Sequence, residues 1–161
     1  AYRQADYQEL RWLIAFWWGD PKATLARLEA ARRNGAAPAA YACYTPYLER
    51  LVAAGGRPIQ GLPPACALLQ LDWRIRMLAR EGDGDGAYDL WYSSSPSAVR
   101  SPVIFYYPEM TSFRRDPRFW PLLARIGLAD YWARSGRWPD FCAEPGLPYD
   151  CRTMAQATSG R

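Results

Sequence analysis

The chain has 161 residues, of which 50% are hydrophobic, and a formal net charge of +4. This composition favours a folded chain, because disordered chains carry too little apolar surface to offset the entropy lost on folding. Histidine is absent, which removes the commonest general base and the commonest metal ligand. The basic residues are scattered among 16 acidic ones rather than gathered into a stripe, so we expect no direct contact with nucleic acid from this domain.

Two features of the sequence concern its relation to a membrane and to a longer protein. No apolar run is long enough to cross a bilayer, so we expect no membrane span within this sequence. The chain starts at Ala1 rather than at a methionine. We therefore expect a fragment of a longer protein, whose missing part carries the output function.

The first predicted element is an antiparallel helical hairpin over residues 5–34. Apolar residues recur there at steps of three and four, which is the period of an amphipathic helix. Gly19 ends the first helix, and Asp20 caps a second helix that has Pro21 at its first position.

A second hairpin is predicted to follow. Its first helix runs from about Ala39 to Ala54 and contains Pro46, which either kinks it or marks a restart. Its second helix opens at Pro63-Pro64 and continues to about Arg80. Residues 5–81 therefore read as two helical hairpins, which favours a repeat array.

The remaining residues are predicted to be less regular. Residues 82–115 form an irregular connector, in which the apolar run 103–107 is a buried extended segment. Residues 116–142 form a terminal helix pair with Asp116 as its cap and Gly127 between the helices, and residues 143–161 form a tail without regular structure. The predicted fold is one all-α domain of tetratricopeptide-like helical hairpins, with a loop-rich C-terminal segment.

The four cysteines divide into two pairs with different expectations. Cys142 and Cys151 flank Pro145-Gly146-Leu147-Pro148, a turn sequence that can bring them together in a disulfide. That bridge requires an oxidising compartment, and the alternative is two thiols in a cytosolic tail. In the predicted hairpin Cys43 and Cys66 stand more than two helical turns apart, so we expect them to be small buried residues. No CxxC motif is present, and we expect no metal site.

One stretch carries a resemblance to known proteins. Phe113 to Phe119 is followed by Ile126-Gly127-Leu128, Tyr131-Trp132 and Trp138-Pro139-Asp140-Phe141-Cys142. This run resembles the C-terminal end of bacterial tetratricopeptide-type proteins that are fused to winged-helix DNA-binding or adenylate-cyclase-like domains. The resemblance implies an all-α repeat domain that is the sensory or interaction half of a regulator. It also implies the periplasmic face of the inner membrane where an anchor precedes the domain, and the cytoplasm is the alternative.

The leading functional expectation is a non-enzymatic domain that binds a protein partner or a small effector, without a cofactor. The aromatic residues expected near its binding surface are Trp17, Trp18, Tyr44 and Trp73. Arg115 and Arg118 stand among aromatic residues, where they could hold an anion.

Two alternatives to a binding domain stay open. The first is a hydrolase or lytic enzyme that uses a carboxylate such as Glu109, which would require two acidic groups facing one cleft. The second is a structural oligomerisation domain, for instance a homodimer with a large apolar interface.

Overall fold

The computed structural model describes residues 11–35, 41–95, 98 and 102–159. These residues are helical or irregular, and no strand occurs among them. The predicted all-α class is therefore confirmed. The chain divides into two compact units, Ala1–Leu69 and Gln70–Arg161, which we call unit 1 and unit 2.

The described residues of unit 1 form three α-helices and one short 3-10 helix. Its elements are the helical residues 11–18 (α1), Pro21–Arg33 (α2), Tyr41–Ala54 (α3) and the 3-10 helix Pro64–Leu68. Pro46 lies inside α3 without ending it.

In unit 2, the part of the chain that the structure describes forms six α-helices. They are Leu71–Arg80 (α4), Gly84–Tyr92 (α5), Thr111–Arg114 (α6), Phe119–Arg125 (α7), Leu128–Ser135 (α8) and Cys151–Ser159 (α9). The 3-10 helices Pro102–Tyr106, Pro108–Met110 and Asp140–Ala143 lie between them.

An aromatic core holds α1 against α3 in unit 1. The ring of Phe16 lies 4.8 Å from that of Tyr44 and 5.7 Å from that of Tyr47, measured between centroids. Phe16 is 1% exposed and Tyr47 is fully buried. This burial turns Ile14 and Trp18, on the other side of α1, towards solvent.

A disulfide joins Cys43 to Cys66, with Cα atoms 4.5 Å apart. The prediction that these cysteines lie too far apart was wrong, because it assumed a helix on each side of a short connection. Residues 57–63 are instead without regular structure, and such a segment covers about 3.3 Å per residue where a helix covers 1.5 Å. The connector can therefore return along α3, and the Arg50 guanidinium donates hydrogen bonds to its carbonyls at Gln60 (2.6 Å) and Gly61 (3.2 Å).

The predicted fourth helix is correspondingly shorter. Pro64–Leu68 forms a 3-10 helix, and α4 begins only at Leu71. Leu68, which the helical pattern placed inward, is 87% exposed, whereas Ile75 of α4 is fully buried.

The core of unit 2 is built from aromatic rings around one buried arginine. Phe119 packs edge-on against Phe105, Phe113 and Phe141 at centroid distances of 5.2 to 5.8 Å. The apolar run 103–107 lies mostly in the 3-10 helix Pro102–Tyr106, so the prediction of an extended segment was wrong. The Arg114 guanidinium stabilises this 3-10 conformation, because it donates hydrogen bonds to the carbonyl of Phe105 at 2.7 Å and to that of Tyr107 at 3.1 Å.

The C-terminal part contains the predicted helix pair and one unpredicted helix. Gly127 separates α7 from α8 with a φ of 78°, a conformation that glycine adopts without strain. The predicted disulfide between Cys142 and Cys151 is confirmed, with Cα atoms 5.9 Å apart. The tail is not irregular throughout, because α9 begins at Cys151, where Asp150 accepts a hydrogen bond from the Thr153 amide at 2.8 Å.

Candidate functional site

Two large apolar side chains are exposed on α1 of unit 1. Ile14 is 50% exposed and Trp18 is 58% exposed, and they stand one helical turn apart on the same face. Exposed apolar residues that lie together on one face make that face a candidate interaction surface. We call the surface they border the α1–α2 groove. It is defined by Arg11, Trp12, Ile14, Ala15 and Trp18 of α1 and by Ala23, Thr24, Arg27 and Leu28 of α2, together with Tyr41 of α3.

The connection between α1 and α2 fixes the floor of this groove. A Cβ atom on Gly19 would lie 2.5 Å from the Ala15 carbonyl oxygen, so only glycine fits there. Asp20 caps α2 by accepting a hydrogen bond from the Ala23 amide at 2.7 Å. The buried Thr24 hydroxyl lies 3.0 Å from the Ala15 carbonyl oxygen and 2.8 Å from that of Asp20, which ties α2 to the end of α1.

Two cavities open along the groove, and both are lined by Arg11, Ala15 and Arg27. The first has a volume of about 330 Å³ and includes Ile14 and Trp18. The second has a volume of about 380 Å³ and includes aromatic and aliphatic side chains, namely Trp12, Leu28 and Tyr41. Each cavity therefore combines apolar walls with the same two arginine side chains.

Among the described residues that line the two cavities, the charged ones are the exposed Arg11, Arg27 and Asp20, of which two are positive and one is negative. One oxygen of the Asp20 carboxylate is engaged by the α2 cap. Arginine can bind a carboxylate through two parallel hydrogen bonds, so the groove is suited to an amphipathic group that carries negative charge.

The four aromatic residues expected near the binding surface occupy different environments. Trp18 lies at the groove. Trp17 and Tyr44 are 6% and 7% exposed, and both pack against Phe16 in the core of unit 1. Trp73 belongs to unit 2, where its ring lies 5.7 Å from the Arg76 guanidinium carbon.

The two arginines expected to hold an anion already contact protein groups. Arg118 pairs with Asp116 at 2.7 Å and with Asp85 at 2.8 Å, and its guanidinium carbon lies 4.3 Å from the centroid of the Tyr88 ring. Arg115 is exposed and donates a hydrogen bond to the Pro145 carbonyl at 3.0 Å. Anion binding by these residues stays a prediction.

Glu109, named for the enzymatic alternative, lies in a buried ion pair. Its Oε1 atom accepts hydrogen bonds from Nε (2.8 Å) and Nη2 of Arg76. The guanidinium carbon of Arg76 lies 3.7 Å from the centroid of the Tyr107 ring. The side chains of Glu109 and Arg76 are 7% and 8% exposed, so this carboxylate is engaged and shielded from solvent.

Unit 2 has a cavity of about 290 Å³ beside the Cys142–Cys151 bridge, which Asp140, Asp150 and Arg152 also line. Hydrogen bonds from the backbone amide and hydroxyl of Thr153 lower the pKa of Asp150 below its ordinary value. Asp150 therefore acts as the cap of α9.

The described residues contain neither a candidate metal site nor a candidate membrane-spanning helix. No group of three or more cysteine, aspartate or glutamate side chains there is arranged to hold a metal ion. Within those same ranges, no helix is long and apolar enough to cross a membrane.

Comparison of the chain with known protein families, with curated proteins and with solved structures found no match. The assignment of the α1–α2 groove as the candidate site therefore rests on the geometry of the structure alone. The pattern of α1 assigned Ile14 and Trp18 to one apolar face and gave no sign that they lie at a groove. Arg11 and Arg27 stand 16 positions apart in the sequence, and only the packing of α1 beside α2 brings them to the same cavities.

Proposed function

We propose that this chain is a non-enzymatic interaction or sensory domain of a bacterial signalling or transcriptional regulator, and that the α1–α2 groove is its binding surface. The observation that carries the proposal is the exposed pair Ile14 and Trp18 beside a cavity of about 330 Å³. Grooves that expose aromatic and aliphatic anchors between two helices are suited to protein and peptide partners.

The architecture that we propose around this groove is a tetratricopeptide-like array of antiparallel hairpins. The pairing of α1 with α2 through a two-residue connection supports it. The sequence run from Phe113 to Cys142 supports the same class of protein through its resemblance to regulator C-termini. The missing output domain would be a winged-helix or cyclase-like domain.

The periplasm is the compartment that we propose. Both disulfides in the structure indicate a non-reducing environment. A periplasmic domain that binds an effector or a partner would relay this event through a membrane anchor outside the present sequence.

The test is a selection from a random helical peptide library against the oxidised protein. We expect selected peptides to bind wild type and to lose at least about tenfold in affinity with Trp18→Ser, since an aromatic anchor commonly contributes 2 kcal/mol or more. Tyr131→Ser is the matched control, because Tyr131 is 53% exposed and belongs to unit 2. Circular dichroism would verify that both variants fold. Selected peptides that respond equally to the two substitutions, or a selection without binders, would overturn the proposal.

A further inference from the structure

We infer that the α1–α2 groove takes an acidic amphipathic helix, in which a carboxylate side chain stands between two apolar side chains. This inference rests on the proposed function and specifies the chemistry of the partner. It follows from three properties of the groove, which are its two recesses, the charges between them and their separation.

The first property is the division of the groove into two recesses. The Ile14–Trp18 recess and the recess of Trp12, Leu28 and Tyr41 are separate cavities of about 330 and 380 Å³. Each has room for a large apolar side chain. A single apolar anchor would fill one recess only, whereas a partner with two anchors fills both.

The second property is the charge between the recesses. Arg11 and Arg27 line both cavities, so they stand where the two recesses meet. A carboxylate at that point would accept charge-assisted hydrogen bonds from a guanidinium. A lysine at that point would meet like charges, which disfavours a basic partner.

The third property is the separation of the recesses along α1. Trp18 lines one recess and Trp12 the other, and six residues of helix rise by about 9 Å. A partner helix covers a similar length in two turns, which places its apolar side chains at positions i and i+7. The carboxylate then belongs at i+3 or i+4, which lies on the same face.

The probe for the test is a fluorescein-labelled helical peptide of alanine and glutamine, with leucine at positions 4 and 11 and glutamate at positions 7 and 8. A second peptide carries lysine in place of both glutamates. Fluorescence anisotropy would measure the affinity of each peptide for the oxidised wild-type protein. We expect the glutamate peptide to bind at least about tenfold tighter, with an advantage that shrinks as salt screens the charges.

Two charge reversals on α2 provide the matched comparison. Arg27→Glu changes the groove, whereas Lys22→Glu makes the same change of charge at an exposed residue that lines neither cavity. We expect Arg27→Glu to weaken the glutamate peptide about tenfold and to favour the lysine peptide. Lys22→Glu should change either affinity by less than about twofold, as expected for a screened surface charge.

Three results would overturn the inference. They are equal affinities for the two peptides, equal losses with Arg27→Glu and Lys22→Glu, and no binding of the glutamate peptide. The proposed function would survive each of them if library peptides of neutral or basic composition still depended on Trp18. Loss of that Trp18 dependence would instead remove the proposed function itself.

Discussion

Arg114 and Arg115 are neighbours in the chain but occupy opposite environments. Arg114 is 3% exposed, and its guanidinium binds both carboxylate oxygens of Glu144, at 2.5 and 3.3 Å, in addition to two backbone carbonyls. Its own carbonyl accepts a hydrogen bond from the Tyr149 hydroxyl at 2.7 Å. Arg115 is exposed and contacts the Pro145 carbonyl. One residue therefore organises the core of unit 2, and the next lies on its surface.

Replacing each arginine with alanine should separate these roles. Arg114→Ala leaves the buried carbonyls and the Glu144 carboxylate without their hydrogen-bond donor, so we expect the free energy of unfolding to fall by about 3 kcal/mol. Arg115→Ala should lower it by less than about 1 kcal/mol, because its single contact is exposed to solvent. Urea denaturation of both variants would measure the difference. Similar losses for the two variants would contradict the assignment of Arg114 as the buried centre.

At the scale of elements, α7 starts later in the chain than predicted. The helix begins at Phe119, and its N-cap position is Arg118 rather than the predicted Asp116. Asp116 still stabilises this segment, because its carboxylate accepts hydrogen bonds from the backbone amide of Arg118 (2.8 Å) and from its guanidinium (2.7 and 2.9 Å). The side-chain hydrogen bond from Arg118 lowers the pKa of Asp116 below its ordinary value, although partial burial opposes it.

This lowered pKa predicts how stability depends on pH. The carboxylate contributes fully above the pKa of about 3.9 that aspartate has in unfolded chains, and the contribution disappears as pH falls through the lower folded-state pKa. Asp116→Asn should cost about 1 kcal/mol at pH 7, a value reduced because Arg118 is partly exposed. In urea denaturation, the difference from wild type should shrink progressively as pH falls below about 3.9. The exposed Asp89 is the control, and a pH-dependent loss with Asp89→Asn as large as with Asp116→Asn would refute this account.

At the scale of the whole molecule, each compact unit contains one disulfide. Cys43–Cys66 closes a loop within unit 1, and Cys142–Cys151 closes a shorter loop within unit 2. Chain-entropy arguments give each bridge about 3 kcal/mol of stabilisation, with the longer loop contributing slightly more. Half of the residues are hydrophobic, yet they are divided between two small cores, where such covalent links matter most.

Removing one bridge should therefore affect one unit. In the double variant Cys43→Ala with Cys66→Ala, we expect faster amide hydrogen exchange in α3 and the connector that follows it, because their local opening becomes easier. Protection in α7, α8 and α9 should stay at the wild-type level. Hydrogen-exchange mass spectrometry resolves both regions in one experiment. An equal increase of amide hydrogen exchange in α7, α8 and α9 would show that this bridge does not stabilise unit 1 alone.

Much of the helical framework was predictable from local chemistry. Asp20 with Pro21, and Gly127 after Ile126, specify helix ends through short-range hydrogen bonds and backbone preferences. The Cys142–Cys151 bridge was predictable because the turn between its cysteines is local. The single-domain organisation and the binding role of the aromatic residues stay predictions, and the structure adds a division into two compact units.

The sequence by itself determined the all-α class, the ends of several helices and the bridge across the Pro145–Pro148 turn, since each depends on residues a few positions apart. Only the tertiary structure decided the Cys43–Cys66 bridge, the exposure of Trp18 and the position of Arg11 and Arg27 at the same two cavities. The physical reason is that these features depend on the path of a connector and on which helix face another helix covers. Helical periodicity records that a face is apolar, but it does not record whether that face packs in a core or borders a groove.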